Sequence, residues 1–374
     1  MIPRFIKSAG IIFGILLCAT LSLVDEAAAR EDSSSGAGDL SAVLRCGGAD
    51  NSGPFVQAEG RVITFNGQPL PLAGYTMYPI HAHWHDATFN NYIDTIMTMA
   101  QHAGQNLIRP TDEWTKKDSN RDYSDPVVWQ HLDHLVCEAG ARGLFVIMDL
   151  SAYKWLLTAH GADPMKADLW QDFLKAAGHH YSETRSIVEY SIVGEPAFPK
   201  TQSEMDNLTA YYRQLTDTLY AADHNHLIAA GGFNHMNSGV KNWWQSIFAL
   251  PHNDVGNFKV YSQNDINKMP AIAAVAVAMN KPLIIEETGL PQKLGDSMWS
   301  GEDYNNLKMS RRDYLNLIYK RSHDLGVSAV VVWNVACQAG PDHYDIYPGT
   351  PGAWEAMKMN GAITPLAGQG TCPY

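Results

Sequence analysis

Short apolar runs bounded by turn-forming residues recur along the chain: LPLAGYTMYP, QNLIRPTD, LFVIMDLS, IVEYSIVG, HLIAAGGF, FKVYSQ, PLIIEETG and AVVVWNVA. Each is nearly continuous in hydrophobicity, the pattern of a strand buried on both faces. Between them, at 90–104, 126–142, 166–182, 203–223 and 303–325, apolar residues return at steps of three and four, which predicts helices with one buried face. Strand and helix alternating eight times predicts an α/β fold in which the strands close into a (β/α)8 TIM barrel with the helices outside. Ahead of the first strand, VQAEGRVITFNGQPL predicts a β-hairpin with an Asn66-Gly67 turn, covering the barrel floor. A doubly wound sheet is the competing arrangement, and the lack of a Gly-rich phosphate loop after strand one speaks against it.

The first 29 residues do not fit this rhythm. Arg4 and Lys7, an apolar run from Ile11 to Val24 and the small residues Ala27 to Ala29 read as a signal peptide with its cleavage site. Residues 30–54, rich in Ser, Gly and Asp, read as a flexible lead-in, and 55–374 as one catalytic domain. A secreted or periplasmic protein meets oxidising conditions. Cys46 and Cys372, near the two ends of the mature chain, are then the expected disulfide pair, with Cys137 and Cys337 as buried free thiols.

Composition narrows the partners. A net charge of −12 with no basic cluster repels nucleic acid and anionic lipid, so a neutral substrate fits best. The chemistry is expected at strand ends, because the C-terminal ends of the strands form the active-site face of such a barrel. Glu195 ends the fourth strand and Glu287 the seventh, which sets two carboxylates facing each other across one mouth. Glu286 is the rival to Glu287, but strand alternation turns it away from the mouth if Glu287 faces in.

These residues carry a resemblance. GEP at 194–196 resembles the Asn-Glu-Pro of clan A glycoside hydrolases, and KPLIIEETG resembles their seventh strand. From about Phe55 to Ile363 the layout is similar to glycoside hydrolase family 5, especially its β-mannanase-like and cellulase-like branch. NLIRPTDEW resembles the second strand with its arginine, VVVWN the eighth with its tryptophan, and DHYDIYPGTP the loop that follows. The resemblance implies a retaining β-glycoside hydrolase with Glu195 as acid/base, Glu287 as nucleophile and Arg109 keeping the nucleophile ionised. It implies no cofactor, no metal, a polysaccharide or oligosaccharide substrate such as a β-1,4-mannan or β-glucan, and a monomer.

Two positions depart from the family pattern. Gly194 stands where the family has an asparagine that contacts the sugar 2-hydroxyl. In strand six the family's His-x-Tyr aligns with KVY, which leaves Tyr261 to hydrogen-bond the nucleophile and puts Lys259 in the histidine position; a second alignment puts Asn264 there.

Of the ten tryptophans, Trp84, Trp114, Trp155, Trp243, Trp244, Trp299 and Trp333 fall at or after strand ends, where flat rings suit pyranose faces. Trp333, within strand eight, is the expected platform, and His83 and His235 are expected to line the same cleft. Two other functions compete. His81 and His83 form the His-x-His that opens a metal-dependent amidohydrolase site, although strands six and eight lack the ligands such a site needs. A barrel that binds sugar without cleaving it would also accommodate both departures.

Overall fold

The computed structural model describes residues 40, 42–47, 53–78, 88–111, 126–159, 161–291, 307, 309–337, 344–350 and 352–368. The expected signal peptide, His81, His83, Trp84, Trp114, Trp299 and Cys372 lie outside them.

Three short antiparallel strands come first: β1 (Gln57–Glu59), β2 (Val62–Phe65) and β3 (Gln68–Pro69). Asn66 and Gly67 both take positive φ, 55° and 68°, the combination that lets a two-residue turn follow the strand twist. Eight parallel strands follow: β4 (Leu72–Met77), β5 (Leu107–Pro110), β6 (Phe145–Asp149), β7 (Ile187–Ser191), β8 (Leu227–Ala229), β9 (Gly256–Val260), β10 (Leu283–Thr288) and β11 (Ala329–Val332). They hydrogen-bond in the order β8-β7-β6-β5-β4-β11-β10-β9. Phe233 joins the two ends, donating to Asn257 O at 3.2 Å and accepting from Lys259 N at 2.9 Å. The eight apolar runs thus form the (β/α)8 barrel that their pattern predicts.

The helices outside are α1 (Phe89–His102), α2 (Pro126–Ala141), α3 (Ala152–Ala159), α4 (Gln171–Tyr181), α5 (Gln202–Ala222), α6 (Trp244–Phe248), α7 (Gln263–Met279), α8 (Arg311–Leu325) and α9 (Ala353–Met359). Thr201 and Ser262 start α5 and α7 through reciprocal capping boxes with Glu204 and Asp265. The helical period at 166–182 resolves into a 3-10 turn at Ala167–Trp170 followed by α4, and in the described part of 303–325 the helix α8 begins at Arg311.

Inside the barrel the lower layers are apolar. Leu72, Leu107, Ile147, Val188 and Ile284 meet Val56 and Ile63 of the hairpin segment, which closes the floor. Above them the interior turns polar, and two irregularities in register produce the change. In β7 the pairing with β6 shifts after Ile187, so Val188 joins the apolar floor and Glu189 also points inward. In β10 the register against both neighbours shifts after Ile285. Ile284 and Glu286 face in by ordinary alternation, and the bulge keeps Glu287 facing in as well. The expectation that Glu286 turns away is therefore overturned: strict alternation does not survive a bulge.

The cysteines also differ from expectation. Cys46 is bonded to Cys137 of α2, with Cα atoms 5.3 Å apart, so it is not available to Cys372. Cys337 is disulfide-bonded as well and is not a free thiol. The physical reason lies in the segment before the barrel. Leu44 N donates to His180 O at 2.7 Å, and His180 Nδ1 lies 2.6 Å from Ala42 O, so part of the expected flexible lead-in is strapped across α4 and brought to α2. The bridge closes a loop of 91 residues. A Cys46→Ser/Cys137→Ser protein should unfold in denaturant with about 3–5 kcal/mol less stability than the parent, the scale set by loop-closure entropy. An unchanged midpoint would show that the strap adds nothing.

Candidate active site

The site is built around a buried cation. Arg109, next to the last residue of β5, is 1% exposed and lies among three carboxylates from two strands. Its Nη2 is 2.6 Å from Asp149 Oδ2 at the end of β6, and its Nη1 donates to Glu287 Oε1 at 2.6 Å. Its Nε lies 2.9 Å from Glu286 Oε1, though without the alignment of a hydrogen bond. Burial alone would disfavour the guanidinium; the three carboxylates reverse that and hold it charged.

Glu286 occupies the tier below the mouth and is completely buried. Ser191 Oγ donates to its Oε1 at 2.8 Å, and Asn257 Nδ2 lies 3.0 Å from its Oε2 and 2.6 Å from Glu189 Oε1. Burial raises the Glu189 carboxyl to about 8, against an opposing hydrogen bond from Asn257, so it is neutral through most of the physiological range. Gly232 makes room for this tier. A Cβ there would stand 2.8 Å from Glu286 Oε2.

Glu287 stands one step higher. Its Oε1 accepts from Lys259 Nζ at 2.7 Å as well as from Arg109, and its Oε2 accepts from Tyr261 Oη at 3.1 Å. Burial raises the carboxyl, but the charges and hydrogen bonds of Lys259 and Arg109 outweigh it and hold Glu287 below the ordinary value. For Lys259, too, burial opposes the charge, and Glu195 and Glu287 more than restore it.

Glu195 lies beyond the last paired residue of β7. The chain nevertheless continues the ladder, with Ile192, Val193 and Glu195 N–H donating to Ala229, Ala230 and Gly232 carbonyls. Glu195 then takes φ +51°, a conformation uncommon outside glycine and concentrated at functional positions. Lys154 Nζ donates to its carbonyl at 3.1 Å, and Asn234 Nδ2 donates to its Oε1 at 2.9 Å. The same Oε1 is 3.3 Å from Lys259 Nζ. One ammonium therefore touches both carboxylates, and its distances of 3.3 and 2.7 Å keep the two Oε1 atoms within about 6 Å of each other. Carboxyl groups about 5–5.5 Å apart are the equipment of a retaining glycosidase, whereas inverting enzymes separate them by about 6.5–9.5 Å.

Of the residues singled out from the sequence, Glu195, Glu287, Arg109, Tyr261 and Lys259 come together here. Asn264 does not; it lies in the first turn of α7, and the alignment through Lys259 and Tyr261 is the one that reaches Glu287. Trp333 is half-buried, its ring 4.8 Å from that of Tyr78 after β4. His235 is exposed after β8, 6.3 Å from the Phe198 ring. Trp243 and Trp244 are overturned as cleft residues: both are fully buried, packed on Phe233 and Phe248 between barrel and helices. Sequence reasoning missed Asp149, Asn234 and Lys154. Asp149 ends an apolar strand just as Glu195 and Glu287 do, so the same signal could have found it.

Comparisons with known proteins show the family and the fold. A family model described as cellulase, glycosyl hydrolase family 5, matches residues 63–319, well over half of the chain. The chain belongs to glycoside hydrolase family 5. Among solved structures it is similar to an endo-1,4-β-mannanase from Rhizomucor miehei, at 17% identity and a TM-score of 0.63 over 82% of this chain and 98% of that one. It is also similar to an endo-β-1,4-mannanase from Thermotoga petrophila, at 16% identity and a TM-score of 0.62 over 79% and 77% of the two chains. A family 5 mannosidase from Rhizomucor miehei shares 14% identity at a TM-score of 0.62, over 85% and 98%. No curated protein matches the chain. As a family 5 member the protein is a glycoside hydrolase, and the cluster at the barrel mouth is where its carboxylates converge.

Two measurements follow. Removing the Lys259 charge frees Glu287 to bind a proton more readily, so Lys259→Met should move the acid limb of the kcat/KM profile up by about one pH unit or more. A limb that stays in place would show that Lys259 does not set the charge of Glu287. Glu189 makes a second prediction, of stability. Between the ordinary 4.5 and about 8 the folded protein keeps a proton that the unfolded chain releases, so this residue lowers stability as pH rises through that window. Glu189→Gln, which mimics the neutral acid, should gain little at pH 4 and roughly 2–4 kcal/mol above pH 8 in denaturant unfolding. A gain independent of pH would contradict a proton held at Glu189.

Proposed function

We propose that this family 5 enzyme cleaves a neutral β-linked glycan with retention by double displacement, with Glu195 as acid/base and Glu287 as nucleophile. The observation that carries the reading is the single Lys259 ammonium that touches both carboxylates and so brings one oxygen of each within about 6 Å of the other, in keeping with the close pair of a retaining enzyme. The hydrogen bonds support a division of labour among the oxygens. Glu287 Oε1 is occupied by two cations, so Oε2, which among the described residues accepts only the Tyr261 phenol, is the atom that attacks the anomeric carbon in this reading. Glu195 Oε1 is occupied by Asn234 and Lys259, which leaves Oε2 to carry the proton to the leaving oxygen. The departing sugar takes that proton as the glycosyl-enzyme bond forms. Glu195 then removes a proton from water as water attacks the same carbon and releases Glu287.

Trp333, with Tyr78 beside it, is the platform for the sugar face. A β-1,4-mannan or β-glucan is the substrate the reading favours, supported by the mannanases among the similar structures. Secretion is supported by the leader-like N-terminus and by the disulfide of Cys46 and Cys137, since such bonds persist in oxidising compartments.

A panel of β-mannans and β-glucans scored by new reducing ends names the substrate, and proton NMR of the first-formed anomer reads the stereochemistry. Glu195→Ala should lose about 10³-fold or more on the glycan but far less on a dinitrophenyl glycoside, whose leaving group needs no proton, with azide giving the β-glycosyl azide. Glu287→Ala should be inactive on both, and any azide product should have the inverted α configuration. Near-native turnover of the activated glycoside by Glu287→Ala would remove Glu287 from the nucleophile role.

A further inference from the structure

Lys259 does more in this site than neutralise. Its Nζ touches Glu287 Oε1 and Glu195 Oε1, and its third N–H has no acceptor among the described residues. A sugar whose anomeric carbon lies between the two carboxylates must set either its ring oxygen or its C2 substituent beside that ammonium. The transition state decides which. Positive charge develops along the bond between the anomeric carbon and the ring oxygen, so a fixed cation on that side would oppose the reaction. The ammonium belongs on the C2 side, where a hydroxyl accepts its free N–H.

The backbone around it is shaped for this lysine. A Cβ on Gly232 would stand 3.1 Å from Lys259 Cε, and one on Gly194 would stand 3.8 Å from it. Gly194 does not take positive φ, so the position does not need glycine for its conformation. Its missing side chain leaves open space beside the lysine stem, which a Cβ would begin to fill at ordinary contact distance. Resting on the assignment of Glu195 and Glu287 as the catalytic pair, we infer that Lys259 grips the 2-hydroxyl of the sugar in the cleavage subsite, in a slot that Gly194 and Gly232 open. The substrate class is thereby narrowed to glycosides with a free 2-hydroxyl. Lys259 donates to O2 of the sugar, and the 2-hydroxyl proton is directed to Glu287 Oε1, the oxygen that does not attack.

The test pairs a substrate deletion with a side-chain deletion. The probes are a dinitrophenyl β-glycoside that the enzyme turns over and its 2-deoxy analogue. For the parent protein, kcat/KM should fall by about 10³-fold on the 2-deoxy compound, the scale of a 2-hydroxyl contact that strengthens in the transition state. Lys259→Met should lose about 100-fold or more on the hydroxylated substrate but less than about fivefold on the deoxy one, collapsing the ratio. An effect of the lysine on the charge of Glu287 weighs on both substrates alike and leaves the ratio where it was. Should Lys259→Met fail to fold, Lys259→Gln replaces it, with a ratio lowered about tenfold or more. A ratio unchanged in the folded variant, with retained stereochemistry, overturns the role of Lys259 and leaves the retaining mechanism standing. An inverted product would overturn the mechanism, and this inference with it.

Discussion

A guanidinium in the middle of a barrel cannot stand alone. Arg109 is almost wholly removed from water, and an isolated charge there would cost far more than the fold could supply, so the surrounding strands must bring carboxylates to it. They bring three, Asp149 from β6 and Glu286 and Glu287 from β10. A regular strand offers only every second side chain to the interior. The bulge in β10 lets adjacent glutamates point the same way, one into the supporting tier and one into the mouth. The surplus of negative charge is then relieved from two directions: Lys259 adds a cation above, and Glu189 keeps its proton below. Site geometry and barrel irregularity are thus one fact seen twice.

How much of this the sequence disclosed depends on how local each signal is. The barrel was legible because eight buried strands each write their own apolar run, and α1, α2 and α5 because a one-sided helix writes a period of three to four. Glu195 and Glu287 were legible because a carboxylate ending an apolar strand is anomalous at once. The inward turn of Glu286 was not, since a bulge is set by pairing with neighbouring strands and leaves no mark in the letters of β10 alone. Trp243 and Trp244 misled because position after a strand says nothing about which way a short helix such as α6 rotates its rings. Cys137 misled for a similar reason: chain ends being close is a tendency of whole domains, while the actual partner was chosen by a strap held on α4 through backbone contacts.

The two departures from the family pattern, 65 residues apart in sequence, are adjacent in space. The two positions are neighbours: a Cβ at 194 would lie 3.8 Å from Lys259 Cε, so a longer side chain there would have to share its space with the lysine stem. The nature of the substituted cation matters as well. A histidine near a carboxylate pair changes its own charge between about pH 5 and 8, so the charge facing Glu287 would change with it. Lys259 is held charged by Glu195 and Glu287 well above that range. The positive charge facing Glu287 is therefore kept through the pH range in which a histidine would lose it.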